Sequence, residues 1–412
     1  MSGGVAPKLS VVWVNPCFLH YRVPVYAALD RMLGNGLRVI CSATRILPSV
    51  MDIATDALGD RAVALPGEWQ VSLGRKANSF ANRSLRLAFQ PGLISAIREA
   101  RPDVIIAEGF FQWTPAALWY KRRYGTPIVV SYERTAHTER RAGRIRTIYR
   151  RFAAKHVDVV CCNGSLSMEY CTKVLGVDPS RIVTGAMAAD SEYLAERCRL
   201  APAGVQAKEL EALGLSRPVF TYMGRLVRPK GLRELLAAWK LFTERRAAPR
   251  GSLLLVGDGP ERAELERLVQ QHSLPEVAFA GAVDYSAIAL YYALCDVLVM
   301  PTLEDNWSLV VPEAMACSKP VLCSRFNGCW PELIKEGVNG WTFDPLNEVE
   351  LAGLFERCAA RSDMLPAMGE ASRRIVGDFT PEHAAGAFLR ACSLALGREV
   401  PSLGSLDTRG GP

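Results

Sequence analysis

The sequence predicts an α/β protein built from two doubly wound, Rossmann-like parallel-sheet domains in tandem. Three observations predict it. Short apolar runs alternate with helix-length segments along the whole 412-residue chain. The runs are apolar throughout, not at every second position, as strands covered by helices on both faces must be. The alternation pauses once, near 199–217, and then restarts. A chain of this length has room for two separate cores.

In the first half the strand runs are "LSVVWV", "LRVICS", "DVIIA", "PIVVS", "VDVVCC" and "RIVTG", and segments such as "PGLISAIREA" and "LSMEYCTKVLG" have helical spacing. "RLAPAGVQAKELEALGLSR" reads as an interdomain linker. The second half runs "PVFTYMG", "GSLLLVG", "EVAFAG", "DVLVMPT" and "PVLCS", with a helix between each run and the next. "TPEHAAGAFLRACSLAL" reads as a closing helix and "GREVPSLGSLDTRGGP" as a disordered tail. The expected boundaries are 1–198 for the first domain, 199–217 for the linker and 218–375 for the second domain, with the closing helix at 376–397 and the tail at 398–412. Two such units would face each other across a cleft lined by the carboxyl ends of both sheets.

Composition is ordinary for a soluble globular protein, 49% hydrophobic and 22% charged. The longest apolar stretches, such as "IALYYALCDVLVM", are interrupted by Asp296 and too short to span a bilayer. The opening "MSGGVAPKLSVVWV" lacks the pattern of a secretion signal, so a cytoplasmic location is expected. The 12 cysteines are scattered, several inside apolar strands where a thiol packs as a small hydrophobe. None has the paired spacing of a zinc site, so no metal is expected. The net charge of +7 hides an asymmetry: residues 1–200 carry 27 Lys and Arg against 16 Asp and Glu, and the remainder 22 against 26. The first half is therefore expected to meet something anionic.

Three loops of the second half carry chemistry. In "YMGRLVRPKGLRELLAAW" a strand ends at Gly224, followed by Arg225, Lys230 and an amphipathic helix. Two cations five residues apart beside a helix start can converge on a phosphate; a solvated loop with incidental basic residues is the alternative. In "LLLVGDGPERAEL", Gly257 and Gly259 allow a ligand close to the backbone, and Pro260 suits a first helical turn. A tight turn by itself explains that loop, and without the full dinucleotide fingerprint NAD is not inferred. In "PTLEDNWSLVVPEAMACSKPV", Pro312 must lie in the first turn of a helix. The helix then starts close to 308–312, with Glu313 in its first turn and Asp305 in the preceding loop. Two such acids at a cleft rim can accept hydrogen bonds from sugar hydroxyls. Glu304 reads instead as a cap or a solvent-facing acid.

In order over 218–345, these motifs resemble the nucleotide-binding domain of the retaining GT-B glycosyltransferases of the family 4 group. "GRLVRPKG" is similar to that group's "GRL…KG" loop and "GDGP" to its "G.GP" loop. The segment from Asp305 through "DNWSLVVPEAMACSKPV" resembles its carboxylate–x–Phe–Gly stretch ending in "EAMA.G.PV", and "FNGCWPELIKEGVNGWTFDP" continues the match. The resemblance implies a GT-B enzyme of the hexosyltransferase class. It would move a sugar, with retention, from a nucleotide-sugar donor to a glycan or lipid-linked acceptor, with no cofactor and no metal.

By position, the resemblance implies that Arg225 and Lys230 bind the donor diphosphate, Glu313 the ribose hydroxyls and Asp305 the donor sugar. Val283 and Asp284 would pass near the base, with Gly224, Gly257, Ser308 and Leu309 also lining the donor. Three features depart from the pattern: Asp305 stands where glutamate is usual, Trp307 and Ser308 replace Phe-Gly, and Ser318 replaces the glycine after "EAMAC".

The first half, the acceptor-binding domain on this reading, matches in layout more than in motif. Glu133 in "PIVVSYERTAHTERR" is a further catalytic candidate, and His137 and Glu108 are acceptor-side candidates. Residues 139–156 hold six arginines and one lysine against one acid, with Ile145, Ile148, Tyr149 and Phe152 at helical spacing. Such a helix either presents a basic face to solvent over a core stripe or seats the domain on an anionic membrane surface. The second reading would put the protein peripherally on the inner face of the membrane. No nucleic-acid partner is expected. A catalytically silent nucleotide-sugar binder and a nucleotide-sugar epimerase on the same fold remain as alternatives.

Overall fold

The computed structural model describes residues 9–73, 85–188, 191–245 and 251–398. They fall into two compact units, one of the residues up to Ala188 together with those from Thr380 onward, the other of those between.

The first unit holds a parallel sheet of β1 (Val11–Val14), β2 (Leu37–Ser42), β3 (Ala62–Leu65), β6 (Val104–Glu108), β7 (Ile128–Tyr132), β8 (Val159–Cys162) and β9 (Ile182–Thr184), in the order β3-β2-β1-β6-β7-β8-β9. Both faces are covered, which is why the strands carry no alternation. Val11 and Trp13 enter one core with helices Val23–Met32, Pro48–Leu58 and Pro381–Ala395. Val12 and Val14 enter the other with helices Leu93–Ala100, Thr114–Tyr124 and Arg144–His156. The sequence reading did not pick out β3, nor the antiparallel hairpin of β4 (Trp69–Leu73) and β5 (Leu85–Phe89), which stands apart from this sheet.

The second unit holds β10 (Val219–Met223), β11 (Ser252–Val256), β12 (Val277–Gly281), β13 (Val297–Met300), β14 (Val321–Ser324) and β15 (Gly340–Phe343), all parallel, in the order β12-β11-β10-β13-β14-β15. One face is sealed by an aromatic cluster in which Phe220 and Trp239 meet Phe242 and Phe355 at centroid distances of 4.9–6.3 Å.

Three boundaries differ from expectation. The first unit's N-terminal part ends at Ala188, ten residues before the expected 198, so helix Glu192–Arg199 belongs to the second unit. Residues 199–217 are not a bare connector. They hold helix Ala203–Ala212, whose Ala, Glu and Leu content favours helix and which packs on helix Ile288–Leu294 of the second unit. The closing helix, Pro381–Ala395, is capped by the Thr380 hydroxyl accepting from the His383 N–H, and it packs on helix Val23–Met32 of the first unit. The tail expected at 398–412 lies, beyond Arg398, outside the described residues. No helix among the described residues is long and apolar enough to cross a membrane.

Candidate functional site

In each sheet the strand order reverses between two neighbours that are not consecutive in sequence, β10 and β13 in the second unit and β1 and β6 in the first. Loops leaving the carboxyl ends of such strands are where open α/β sheets take ligands.

In the second unit these are the loops at 224–231 and 301–309. The Pro229 carbonyl accepts from the Leu303 N–H at 2.8 Å, the Glu304 N–H at 3.2 Å and the Thr302 hydroxyl at 3.0 Å, so the two loops form one surface. Lys230 thereby meets Asp305, Nζ to Oδ2 2.5 Å. Arg225 is exposed, and among the described residues its guanidinium makes no ion pair. Gly224 leaves β10 beside Gly257, where an added Cβ would collide with the Gly224 carbonyl; only a residue lacking that atom lets the two loops touch. Val283 and exposed Asp284 follow β12 on the same edge.

The three acids separate clearly. Asp305 is buried, and its carboxylate accepts from the Trp307 N–H at 3.1 Å and the Ser308 hydroxyl at 2.6 Å as well as from Lys230. Its carbonyl accepts from the Gly328 N–H, and the Asn327 side chain accepts from the Ser308 N–H at 3.3 Å, tying this loop to the one after β14. The Ser308 hydroxyl thus fills the place of the expected glycine by bonding Asp305. Glu304 is buried at 3% exposure, which corrects the expectation of a solvent-facing acid, and the residue at the helix N-cap is Leu309.

Glu313 sits in the first turn of helix Val310–Ala316 and accepts from the Tyr292 hydroxyl at 2.7 Å. Burial pushes its carboxyl up to about 7, against the opposing effect of the Tyr292 bond. Tyr292 had no motif to announce it, and Asn327 lay within "FNGCWPELIKEGVNGWTFDP" without being singled out.

In the first unit, Glu108 ends β6 and Asn15 follows β1. Glu108 Oε1 accepts from Trp13 Nε1 at 3.1 Å and Asn15 Nδ2 at 3.2 Å, and lies 3.9 Å from the Arg22 guanidinium. Burial raises the Glu108 carboxyl, opposed by the charge of Arg22. Glu133, half-buried, lies 3.8 Å from Arg134, and the His137 carbonyl accepts from Arg140 at 2.6 Å. Trp13, Asn15, Arg22 and Tyr26 were missed by sequence reasoning; the polar residue closing the run "VVWVN" was the available signal.

A cavity of about 620 Å³ in the second unit opens at the amino edge of its sheet beside Pro218, Asp296 and Pro320. It lies away from the loops just described.

Comparison with known proteins follows this division. Residues 206–375 match the model for glycosyl transferases group 1, and residues 25–185 the model for a glycosyl transferase 4-like domain. A sulfoquinovosyl transferase of Arabidopsis thaliana is 28% identical over 274 residues, 63% of this chain and 50% of that protein. An alpha-D-kanosaminyltransferase of Streptomyces kanamyceticus is 28% identical over 167 residues, 40% of this chain and 42% of its own. The chain thus spans half or less of these relatives' length. Among solved structures, a glycosyltransferase of Rickettsia africae superposes with a TM-score of 0.70 at 15% identity, covering 95% of this chain and 99% of that one. An Anabaena protein in complex with UDP and glucose gives 0.68 at 16% identity, covering 92% and 97%. At such identities these structures speak for the fold.

Proposed function

Because the chain belongs to the GT-B glycosyltransferases of the family 4-like group, we propose that it transfers a glycosyl group, with retention, from a nucleotide sugar to a glycan or lipid-linked acceptor. The observation that carries this reading is the pair Arg225 and Lys230 on one loop at the topological switch of the second sheet. Breaking an anomeric C–O bond leaves a cation-like sugar and a departing diphosphate. Two cations beside the start of helix Leu232–Glu244 stabilise that leaving group as its charge develops. On this reading the cations supply the counter-charge and no metal is called for. Donor binding draws Lys230 from Asp305 toward phosphate, while Glu313 meets the ribose hydroxyls. Glu108 and Glu133 stand as acceptor-side groups of the first unit.

The test is nucleotide release from a panel of nucleotide sugars, with and without candidate acceptors, and the anomeric configuration of any product by NMR. Release that requires an acceptor supports transfer, and inversion would remove the retaining assignment. A silent nucleotide-sugar binder is the second reading, favoured by the engagement of Lys230 and Ser308 with Asp305. Binding by calorimetry with no release under any acceptor would select it.

We further place the protein in the cytoplasm, seated on the inner face of an anionic membrane. Helix Arg144–His156 supports this, though not by the stripe expected from its sequence. Its buried side is Arg150, Ala153 and Ala154, with Arg150 paired to Glu139 at 2.5 Å. Ile145, Ile148 and Phe152 are exposed at 77%, 64% and 56%, an apolar ridge among arginines. Arginines near such a surface gain about 1 kcal/mol each. Sedimentation with anionic vesicles at low salt checks this, with loss of binding expected on neutralising Arg140, Arg144 and Arg151. Absence of binding would leave a solvated face.

A further inference from the structure

Three guanidinium groups gather around one carboxylate at the carboxyl edge of the first sheet. Arg150 holds the Glu139 carboxylate through two bonds, of 2.5 and 3.0 Å, and Arg134 lies 3.8 Å from the same group. Arg146, one turn before Arg150, has its guanidinium 5.4 Å from the centre of the Phe111 ring, and Arg150 has its own at 5.3 Å. Phe111 belongs to the loop that leaves β6 after Glu108, and Arg134 to the loop that leaves the neighbouring strand β7. Reciprocal bonds hold that second loop in shape. The Thr135 and Thr138 hydroxyls each accept from the other residue's N–H, at 3.2 and 3.0 Å, and both residues are buried between Arg134 and Glu139. Positive charge is in excess there. From 133 to 156 the chain carries eight Lys and Arg against two acids, Glu139, buried under Arg150, and Glu133, whose side chain is 45% exposed. Burial and the charges of Arg150 and Arg134 act against the Arg146 cation.

We propose that Arg134 and Arg146 form an anion subsite at the β6–β7 edge that takes a phosphate or diphosphate group of the acceptor. That the anion belongs to the acceptor rests on the glycosyl-transfer reading; the binding of phosphate does not. Arg150 engages the Glu139 carboxylate with both of its terminal nitrogens, so the other two guanidinium groups are left with less counter-charge than cation. The oxygens of a phosphate match the planar fork of a guanidinium, and an anion between two such groups offsets the repulsion that burial strengthens. Glu108 ends β6 three residues before Phe111, so a phosphate held here anchors the acceptor on the strand pair that carries that acid. The subsite is distinct from the basic face of helix Arg144–His156. Arg140, Arg144 and Arg151 stand exposed and would meet a bilayer headgroup first, whereas Arg134 and Arg146 are half-buried.

Inorganic pyrophosphate is titrated calorimetrically into the full-length protein carrying Arg225→Ala and Lys230→Ala, which disable the competing cations of the second unit. Binding is expected, and adding Arg134→Gln or Arg146→Gln should weaken it about ten- to hundredfold, the loss of a bond between charged groups. Arg146→Lys should restore only part of it, since an ammonium keeps the charge but not the fork. Two further arms separate the sources of phosphate. Neutralising Arg140, Arg144 and Arg151 should leave pyrophosphate affinity unchanged, and Arg146→Gln should leave sedimentation with anionic vesicles unchanged. The reverse in either arm would make the anion a lipid headgroup and overturn the proposal. Equal pyrophosphate affinity with and without Arg146→Gln, in a variant that urea unfolding shows to be folded, would overturn it too. Arg134 and Arg146 come from different elements, so either variant decides the matter if the other fails to fold. Pyrophosphate binding needs no turnover, so a protein that binds it here yet releases no nucleotide with any acceptor would count against transfer and not against the subsite.

Discussion

The two units solve the same topological problem and arrive at opposite chemistry. At the switch point of each sheet an acid at a strand end meets a cation, Glu108 with Arg22 in the first unit and Asp305 with Lys230 in the second. Arg22 is 7% exposed, bonds the Ala186 carbonyl at 2.9 Å and has its guanidinium 5.8 Å from the Trp13 ring and 5.9 Å from that of Phe388. Planar, stacked and enclosed, it is a structural ion. Lys230 is 21% exposed on a loop shared with exposed Arg225, and a compact ammonium on a flexible stem can change partners. Equal topology thus yields a fixed pair in one unit and an exchangeable one in the other. Burial of the cation makes the difference.

The largest expected effect breaks the fixed pair. Arg22→Ala leaves the buried Glu108 carboxyl without its cation and should lower the unfolding free energy by about 3–5 kcal/mol. Urea unfolding measures it, and adding Glu108→Gln should restore part of the loss. An unchanged midpoint would mean that the first pair is no more locked than the second.

Lys230→Ala probes the exchangeable pair. Its unfolding free energy should fall less, by about 1.5–3 kcal/mol, the worth of a bond between charged groups. In the proposed reaction about 2–4 kcal/mol of transition-state stabilisation should go, a drop in turnover of about two orders of magnitude. A well-folded variant with wild-type turnover would sink the assignment of Lys230 to the leaving group.

Glu313 sharpens the contrast through pH. Its carboxyl titrates near 7 in the folded unit and near 4.5 when unfolded. Between those values the folded state binds more protons, so stability must fall as pH rises from about 4.5 to 7. Glu313→Gln removes that slope. Compared at pH 5 and pH 8, the variant should gain about 1–2 kcal/mol on wild type, after discount for a half-buried carboxyl. Tyr292→Phe should push the carboxyl higher still, observable by NMR titration.

The smallest effect concerns two equivalent helix ends. The helix after β6 ends at Gly125 with φ 80°, a conformation glycine adopts without strain. The helix after β13 turns instead at Ser318, with φ 55°. Ser318→Gly should therefore stabilise the second unit by about 0.5–1 kcal/mol, the left-handed strain relieved less the greater chain entropy of glycine. Calorimetric Tm would show it, and a fall in Tm would mean that the serine earns its place through its side chain.

Much of the second unit was legible because its signals are local. The runs "VFTYM", "LLLV" and "VLVM" are apolar without alternation and became central parallel strands. Pro312 pinned a helix that begins at Val310 and carries Glu313 in its first turn. β15 was read only as part of a family-like stretch, since "GWTF" is short and opens on glycine. Hairpin β4–β5 escaped because its signal is the pairing of two distant five-residue segments rather than any run. The helix at 144–156 was legible as a helix but not in its orientation. Its arginines suggested that all of them face out, yet Arg150 turns inward because Glu139 and the Tyr170 hydroxyl meet it there.

By itself, then, the sequence determined the two doubly wound sheets, the glycine-bounded loops and the positions of Arg225, Lys230 and Glu313, all consequences of hydrophobic period, proline and glycine acting within a few residues. Only the tertiary structure decided which charges are held and by whom. Asp305 meets Lys230 across 75 residues, Glu108 meets Trp13 across 95, and Tyr292 meets Glu313 across 21. A carboxylate's role depends on its desolvation and its donors, and both are set by chain segments that come together only when the sheets close.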